Sequence, residues 1–107
     1  MTTFDKRKDA FENKFAHDAE LRFKAEARRN KLLGLWAAGE MGKSGPAADA
    51  YARDVVASDF AEAGDEDVFR KIRQDLDEAR VACTDAQIRA RMAELMAKAM
   101  EQVASEG

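Results

Sequence analysis

Apolar residues recur every three or four positions along most of the chain, and no stretch alternates apolar and polar for more than a few residues. That period predicts helices and no strands. The first helix runs unbroken from near Thr3 to Ala38. Thr2 followed by Asp5 has the spacing of a capping box at its start, and Gly39 is its expected C-terminal cap. Asp18–Arg22 and Glu20–Lys24 are i,i+4 pairs in the favourable order. Gly34 is a tolerated interruption costing about 1 kcal/mol. After the loop from Gly39 to Gly45, Pro46 opens a second helix with Ser44 or Gly45 as cap. Its apolar face is Tyr51, Ala52, Val55, Val56 and Ala63, with Phe60 nearby, and Gly64 ends it. Asp65 is the expected cap of a third helix, with Glu66 and Asp67 in its first turn and Phe69, Ile72, Leu76 and Ala79 on its buried face. Thr84 and Gln87 form a capping box for a fourth. Its stripe is Ile88, Met92, Leu95, Ala99 and Val103, with Met96 and Met100 beside it.

The last three helices are expected at about 47–63, 66–82 and 85–104. Short connections force antiparallel neighbours, so the fold is all-α: an antiparallel four-helix bundle. Helices of 17–20 residues span roughly 26–30 Å, and a matching first helix needs only residues 18–38. A helix from Thr3 overhangs by some 15 residues. The chain therefore divides into an arm, residues 1–17, helical or partly disordered, and a bundle, residues 18–107.

The arm carries an aromatic stripe. At 100° per residue Phe4, Phe11 and Phe15 fall within about 40° of one another. Leu21, Ala25, Leu32 and Trp36 cluster about 80° away, so the two stripes are expected to be separate seams. Phe4, Phe11 and Phe15 with Lys6, Arg7, Lys8 and Lys14 are the candidate partner-binding residues. An amphipathic helix of this kind suits a protein groove with acidic rims. The plainer alternative is a bend near His17 that folds the phenylalanines back as core.

Charge supports a protein partner. Residues 1–31 hold nine Lys/Arg and six Asp/Glu, a net +3, whereas residues 32–107 hold nine and fifteen, a net −6. An acidic domain with a mildly basic arm is a poor nucleic-acid binder. No apolar run approaches the length of a membrane span, and no secretory signal is evident. Asp5, Asp9 and Glu12 argue against a transit peptide and weaken any interfacial membrane binding by the Phe/Lys face.

Candidate chemistry is sparse. Cys83 is the single cysteine, so no internal disulfide forms, and its plain reading is a small, partly buried side chain. His17 is the single histidine, with no ligand cluster around it, so no metal is expected. No nucleophile is paired with a base, and the chain is not expected to be an enzyme. Gly42-Lys43-Ser44 matches the end of a phosphate-binding loop, but Ala37 stands where the first glycine belongs and a helix precedes it instead of a strand. A weaker alternative is an adenine-nucleotide site made from Lys43, Ser44 and the start of the second helix, with Arg28, Arg29 and Trp36 adding charge and a stacking surface. No cofactor is required.

The run from Phe4 to Ala38, FDKRKDAFENKFAHDAELRFKAEARRNKLLGLWAA, resembles the zeta subunit of alphaproteobacterial F-type ATP synthases. The resemblance continues more loosely through Tyr51–Val56 (YARDVV) and Val68–Ile72 (VFRKI). It implies a small helical regulatory protein that inhibits ATP hydrolysis by the catalytic head of the synthase. It also implies that the arm enters an interface between catalytic and rotor subunits and stops hydrolytic rotation. The residues matching that arm run from Phe4 to Phe15. The expected protein is a monomer when free, cytoplasmic, and peripheral to the inner membrane through the synthase, with no direct membrane insertion.

Overall fold

The computed structural model describes residues 3–60 and 65–106, with side chains at 19–59 and 65–106. Four helices account for nearly all of it: α1 (Thr3–Glu40), α2 (Gly45–Ala57), α3 (Glu66–Glu78) and α4 (Asp85–Glu106), with a 3-10 turn at Ser58–Phe60 after α2. There is no strand among the described residues. Contacts fix the directions. Gly34 lies against Ala52, and Asn30 reaches Asp59, so α1 and α2 are antiparallel. Arg28 meets Glu106 and Trp36 meets Arg91, so α1 and α4 are antiparallel. Arg89 meets Glu66 and Arg73 meets Asp85, which gives α3 and α4 the same relationship.

The helix ends depart from expectation in instructive ways. α1 does not stop at Gly39. It continues to Glu40, and the left-handed residue that ends it is Gly42, at φ 79°. The Lys43 N–H bonds the Ala38 carbonyl at 2.8 Å and the Gly42 N–H bonds the Gly39 carbonyl at 3.1 Å, the paired bonds of a Schellman cap. α2 stops at Ala57, shorter than periodicity suggests, and Ser58 turns the chain by bonding the Val55 carbonyl through its hydroxyl. The expected end of this helix at Ala63–Gly64 lies outside the described residues, as does the Thr2 cap of α1. α3 ends at Glu78 and not near 82. Its cap is another Schellman motif, Val81 N–H to Leu76 carbonyl and Arg80 N–H to Asp77 carbonyl, with Arg80 itself left-handed at φ 60°. The capping box before α4 forms in both directions: Thr84 N–H to Gln87 Oε1 at 2.8 Å, Gln87 N–H to Thr84 Oγ1 at 3.1 Å.

Asp65 occupies the N-cap position of α3 but its carboxylate makes no cap bond there. It accepts instead from the Arg29 guanidinium at 2.9 Å. Of the expected i,i+4 pairs, Glu20–Lys24 forms at 3.4 Å, whereas Arg22 pairs forward with Glu26 at 3.5 Å. The Asp18 side chain lies outside the described residues.

The core has two parts. The larger is built by Leu33, Ala37 and Ala38 of α1, Tyr51 and Val55 of α2, Val68, Ile72 and Leu76 of α3, and Ile88 and Met92 of α4. On α3, Val68 is the buried residue, Phe69 is only half-buried beneath the Arg89 guanidinium, and Ala79 is exposed. The smaller part is a two-helix seam, Ala25 of α1 against Ala99 and Val103 of α4, flanked by Leu21, Leu32 and Met96. The bundle thus tapers. Four helices pack at the Leu33 level, and α1 and α4 alone at the Ala25 level.

The bundle face of α1 is wider than the expected Leu21, Ala25, Leu32 and Trp36 stripe. The buried face of α1 is broad because α2 and α4 cover it from two sides. It includes Arg29, Leu33 and Ala37, which sit at roughly 20°, 60° and 100° on the wheel. Leu21, Leu32 and Trp36 mark only the α4 edge of that face. The side chains of Phe4, Phe11 and Phe15, the other expected seam, lie outside the described residues. The difference in length survives. α1 has 38 residues against 22 in α4, roughly 57 Å against 33 Å of helix, within a molecule whose long dimension is 64 Å.

Candidate functional site

The arm is the leading half of α1, and its backbone is helical from Thr3 onward with no break at His17. A fold-back bend is therefore not the arrangement of this helix. Phe4, Lys6, Arg7, Lys8, Phe11, Lys14 and Phe15 all stand on it, and their side chains lie outside the described residues.

At its root, α1 is tied to the rest of the molecule by polar contacts on two sides. On one side Arg28 donates from both terminal nitrogens to Glu106, at 2.6 and 2.8 Å, and to Gln102 at 3.1 Å. The hydrogen bond to Glu106 raises the Arg28 pKa and lowers that of Glu106, so both stay charged. On the other side, Arg29 and Asn30 are buried polar residues, 2% and 1% exposed. Arg29 Nε donates to Asn30 Oδ1 at 2.8 Å, its other end reaches Asp65, and Asn30 donates to Asp59 at 2.9 Å. No buried side-chain nitrogen or oxygen among the described residues lacks a partner, so this network is satisfied. It holds both ends of the α2–α3 connection against α1.

The five residues of the expected nucleotide site are not brought together. Arg28 is committed to the end of α4 and Arg29 is buried against Asp65. Trp36 lies 5.4 Å beneath the Arg91 guanidinium in a cavity of about 350 Å³ shared with Cys83, Gln87 and Glu94. Lys43 lines a different cavity, with Tyr51, Asp54, Lys71 and Asp75. There the Tyr51 hydroxyl donates to Asp75 at 2.7 Å and Lys71 pairs with the same carboxylate at 3.1 Å. Burial, then that hydrogen bond, pushes the Tyr51 phenol far above its ordinary range. Ser44 is exposed at the start of α2 and makes no cap bond. Tertiary placement, invisible in sequence spacing, sends each arginine to its own carboxylate.

A feature that sequence reasoning passes over lies at the arm's root. Leu21 and Arg22 of α1 and Met100 and Ala104 of α4 line an apolar cavity of about 200 Å³. Met100 is 51% exposed, although its spacing after Met92 and Met96 places it beside the α4 stripe. The available signal is length: an α4 reaching residue 106 extends beyond the ends of α2 and α3 and leaves its last turns with α1 as sole neighbour.

Among the described residues no helix is long and apolar enough to cross a membrane, and no group of three His, Cys, Asp or Glu is placed to hold a metal ion. No curated protein matches the chain. Among the solved structures that match, a solution NMR structure superposes with a TM-score of 0.72 at 53% sequence identity, covering 81% of this chain and 99% of that one. The family described as ATPase inhibitor subunit zeta matches residues 1–102, nearly the full length and including the whole arm. The chain belongs to the ATPase inhibitor subunit zeta family.

Proposed function

We propose that this protein inhibits ATP hydrolysis by F-type ATP synthase through its arm, residues 1–17, with residues 18–107 as the supporting bundle. The arm enters an interface between catalytic and rotor subunits of the head and blocks rotation in the hydrolytic direction. Phe4, Phe11 and Phe15 are the anchors, and Lys6, Arg7, Lys8 and Lys14 the charged rim. The protein is a regulatory binding partner and not a catalyst, and it acts on the cytoplasmic side, held at the membrane only by the synthase.

The observation that carries this reading is the length of α1. Its 38 residues outrun the 22 of α4, so the leading turns extend past the bundle on a helix that begins before any partner helix does. An arm that short is marginal as a helix on its own in water and gains most from a groove that buries one face.

The test is ATP hydrolysis by the cognate synthase head with the full chain, residues 18–107 and a peptide of residues 1–17. The full chain and, more weakly, the peptide inhibit. Residues 18–107 do not. Equal inhibition by the truncated bundle rejects the arm as the inhibitory element. An adenine-nucleotide site built from Arg28, Arg29, Trp36, Lys43 and Ser44 has no support in where those residues lie.

A further inference from the structure

Insertion of the arm alone gives no role to the cavity at its root. Leu21 and Arg22 form one wall and Met100 and Ala104 the other. The lining is mainly apolar. Met100 is one of two large hydrophobic residues that stand exposed among the described residues, the other being Phe23 at 69%. Arg22 follows Phe15 by seven residues, two turns farther along the same helix. The groove therefore starts two turns after the last phenylalanine of the arm, on the same helix. It lies where only α1 and α4 pack, beyond the four-helix core.

Interface size argues that the partner reaches it. Specific, stable protein interfaces take about 20–30 residues a side and bury about 800 Å² on each partner. An arm of 17 residues that presents one face falls short of that. The next surface along the same helix is this groove.

We propose that the α1–α4 groove lined by Leu21, Arg22, Met100 and Ala104 is a second contact with the synthase head, seating an apolar side chain carried by the subunit that receives the arm. The inference rests on the arm reading and extends it from an inserted helix to a two-part grip. The arm stops turnover, and the groove sets how tightly the stopped complex is held.

The test uses full-length variants with the cognate head. Met100→Asp raises the half-inhibitory concentration about tenfold, with maximal inhibition unchanged. Ala104→Arg, a second exposed site near a helix C-terminus where a cation is tolerated, fills the groove and does the same. Phe23→Ser removes exposed apolar surface outside the groove and changes potency less than about twofold. Phe11→Ala, run in parallel, reads the arm. If Phe11→Ala weakens inhibition and neither groove variant does, the groove is overturned and the arm reading stands. If none of them weakens it, both fall. If Phe23→Ser weakens inhibition as much as Met100→Asp, the effect is not the groove's and the proposal is overturned. Two other occupants are separated in the free protein. A dimer in sedimentation that Met100→Asp dissolves assigns the groove to a second copy. A Met100 methyl resonance that moves on Phe11→Ala assigns it to this chain's own arm. Either result overturns the proposal.

Discussion

Gly34 on α1 approaches Ala52 on α2 so closely that a Cβ at Gly34 would stand 2.7 Å from the Ala52 Cα and 3.2 Å from the Val55 Cγ2. The backbone of α2 cannot yield as a side chain would. Glycine is thus the residue that lets these two helices meet, and its helix-propensity cost is offset by the contact it permits. Gly34→Ala should destabilise by about 1–3 kcal/mol through overpacking, although alanine is the better helix former. Gly39, five residues on in the same helix, faces open space: a Cβ there would meet nothing within 4 Å, so Gly39→Ala should stabilise by about 0.5–1 kcal/mol. Urea unfolding of the two variants checks the opposite signs.

Arg80 ends α3 in a left-handed conformation at φ 60°, where a side chain is strained and glycine is not. Arg80→Gly should raise stability by about 1 kcal/mol, visible as a shift of a few degrees in Tm. Gly42, left-handed at φ 79° after α1, is the mirror case, and Gly42→Ala should lower stability by about the same amount.

Arg29 is nearly fully buried while its carboxylate partner Asp65 is half in water. Removing Asp65 strips a charge-assisted hydrogen bond from a guanidinium that water reaches poorly. Asp65→Ala should cost about 1.5 kcal/mol, the low end for such a bond because Asp65 itself is solvated. Arg29→Met on that background should restore part of the loss, because it removes the buried charge. A double-mutant cycle in urea measures both.

The Arg28 hydrogen bond holds the Glu106 carboxyl below its ordinary value of 4.5. A carboxylate whose folded pKa is depressed contributes above its unfolded pKa and loses that contribution as pH falls through the folded one. The tie between α1 and the end of α4 is therefore intact at neutral pH and released below 4.5. Amide-exchange protection in the last turn of α4, corrected for intrinsic rates, should fall across that window. Glu106→Gln should lack the step and be weakly protected throughout.

On the arm, a buried aromatic anchor and a rim charge are told apart by magnitude and by salt. Phe11→Ala should weaken inhibition by about 30-fold, the scale of a hot-spot residue, with little dependence on ionic strength. Lys8→Ala should weaken it only a few-fold at low salt and hardly at all at high salt. Titrating each variant into the hydrolysing head at two salt concentrations separates them.

Local and periodic features are legible in the sequence by itself. Four helices, the reciprocal Thr84–Gln87 cap, the buried row Ile88, Met92, Ala99 and Val103, and the excess length of the first helix follow from spacing and side-chain chemistry within a few residues. Such features depend on neighbours at fixed offsets along one helix, which a sequence states directly. The run from Phe4 to Ala38 also points to the family, and the match over residues 1–102 shows it.

What the tertiary structure decided is every choice between chemically similar residues. Gly42 and not Gly39 takes the left-handed cap, Val68 and not Phe69 is fully buried, and Arg29 turns inward to Asp65 while Arg28 turns to Glu106. The width of the face that α1 buries was decided there too. Two helices cover α1 from different sides, so its buried face is wider than any one apolar stripe, and a wheel drawn from the largest residues finds only one edge of it. The physical reason is common to all of these. Propensity and period act within a helix, whereas which face is buried, which glycine is needed and which carboxylate an arginine meets are set by the helices packed against it.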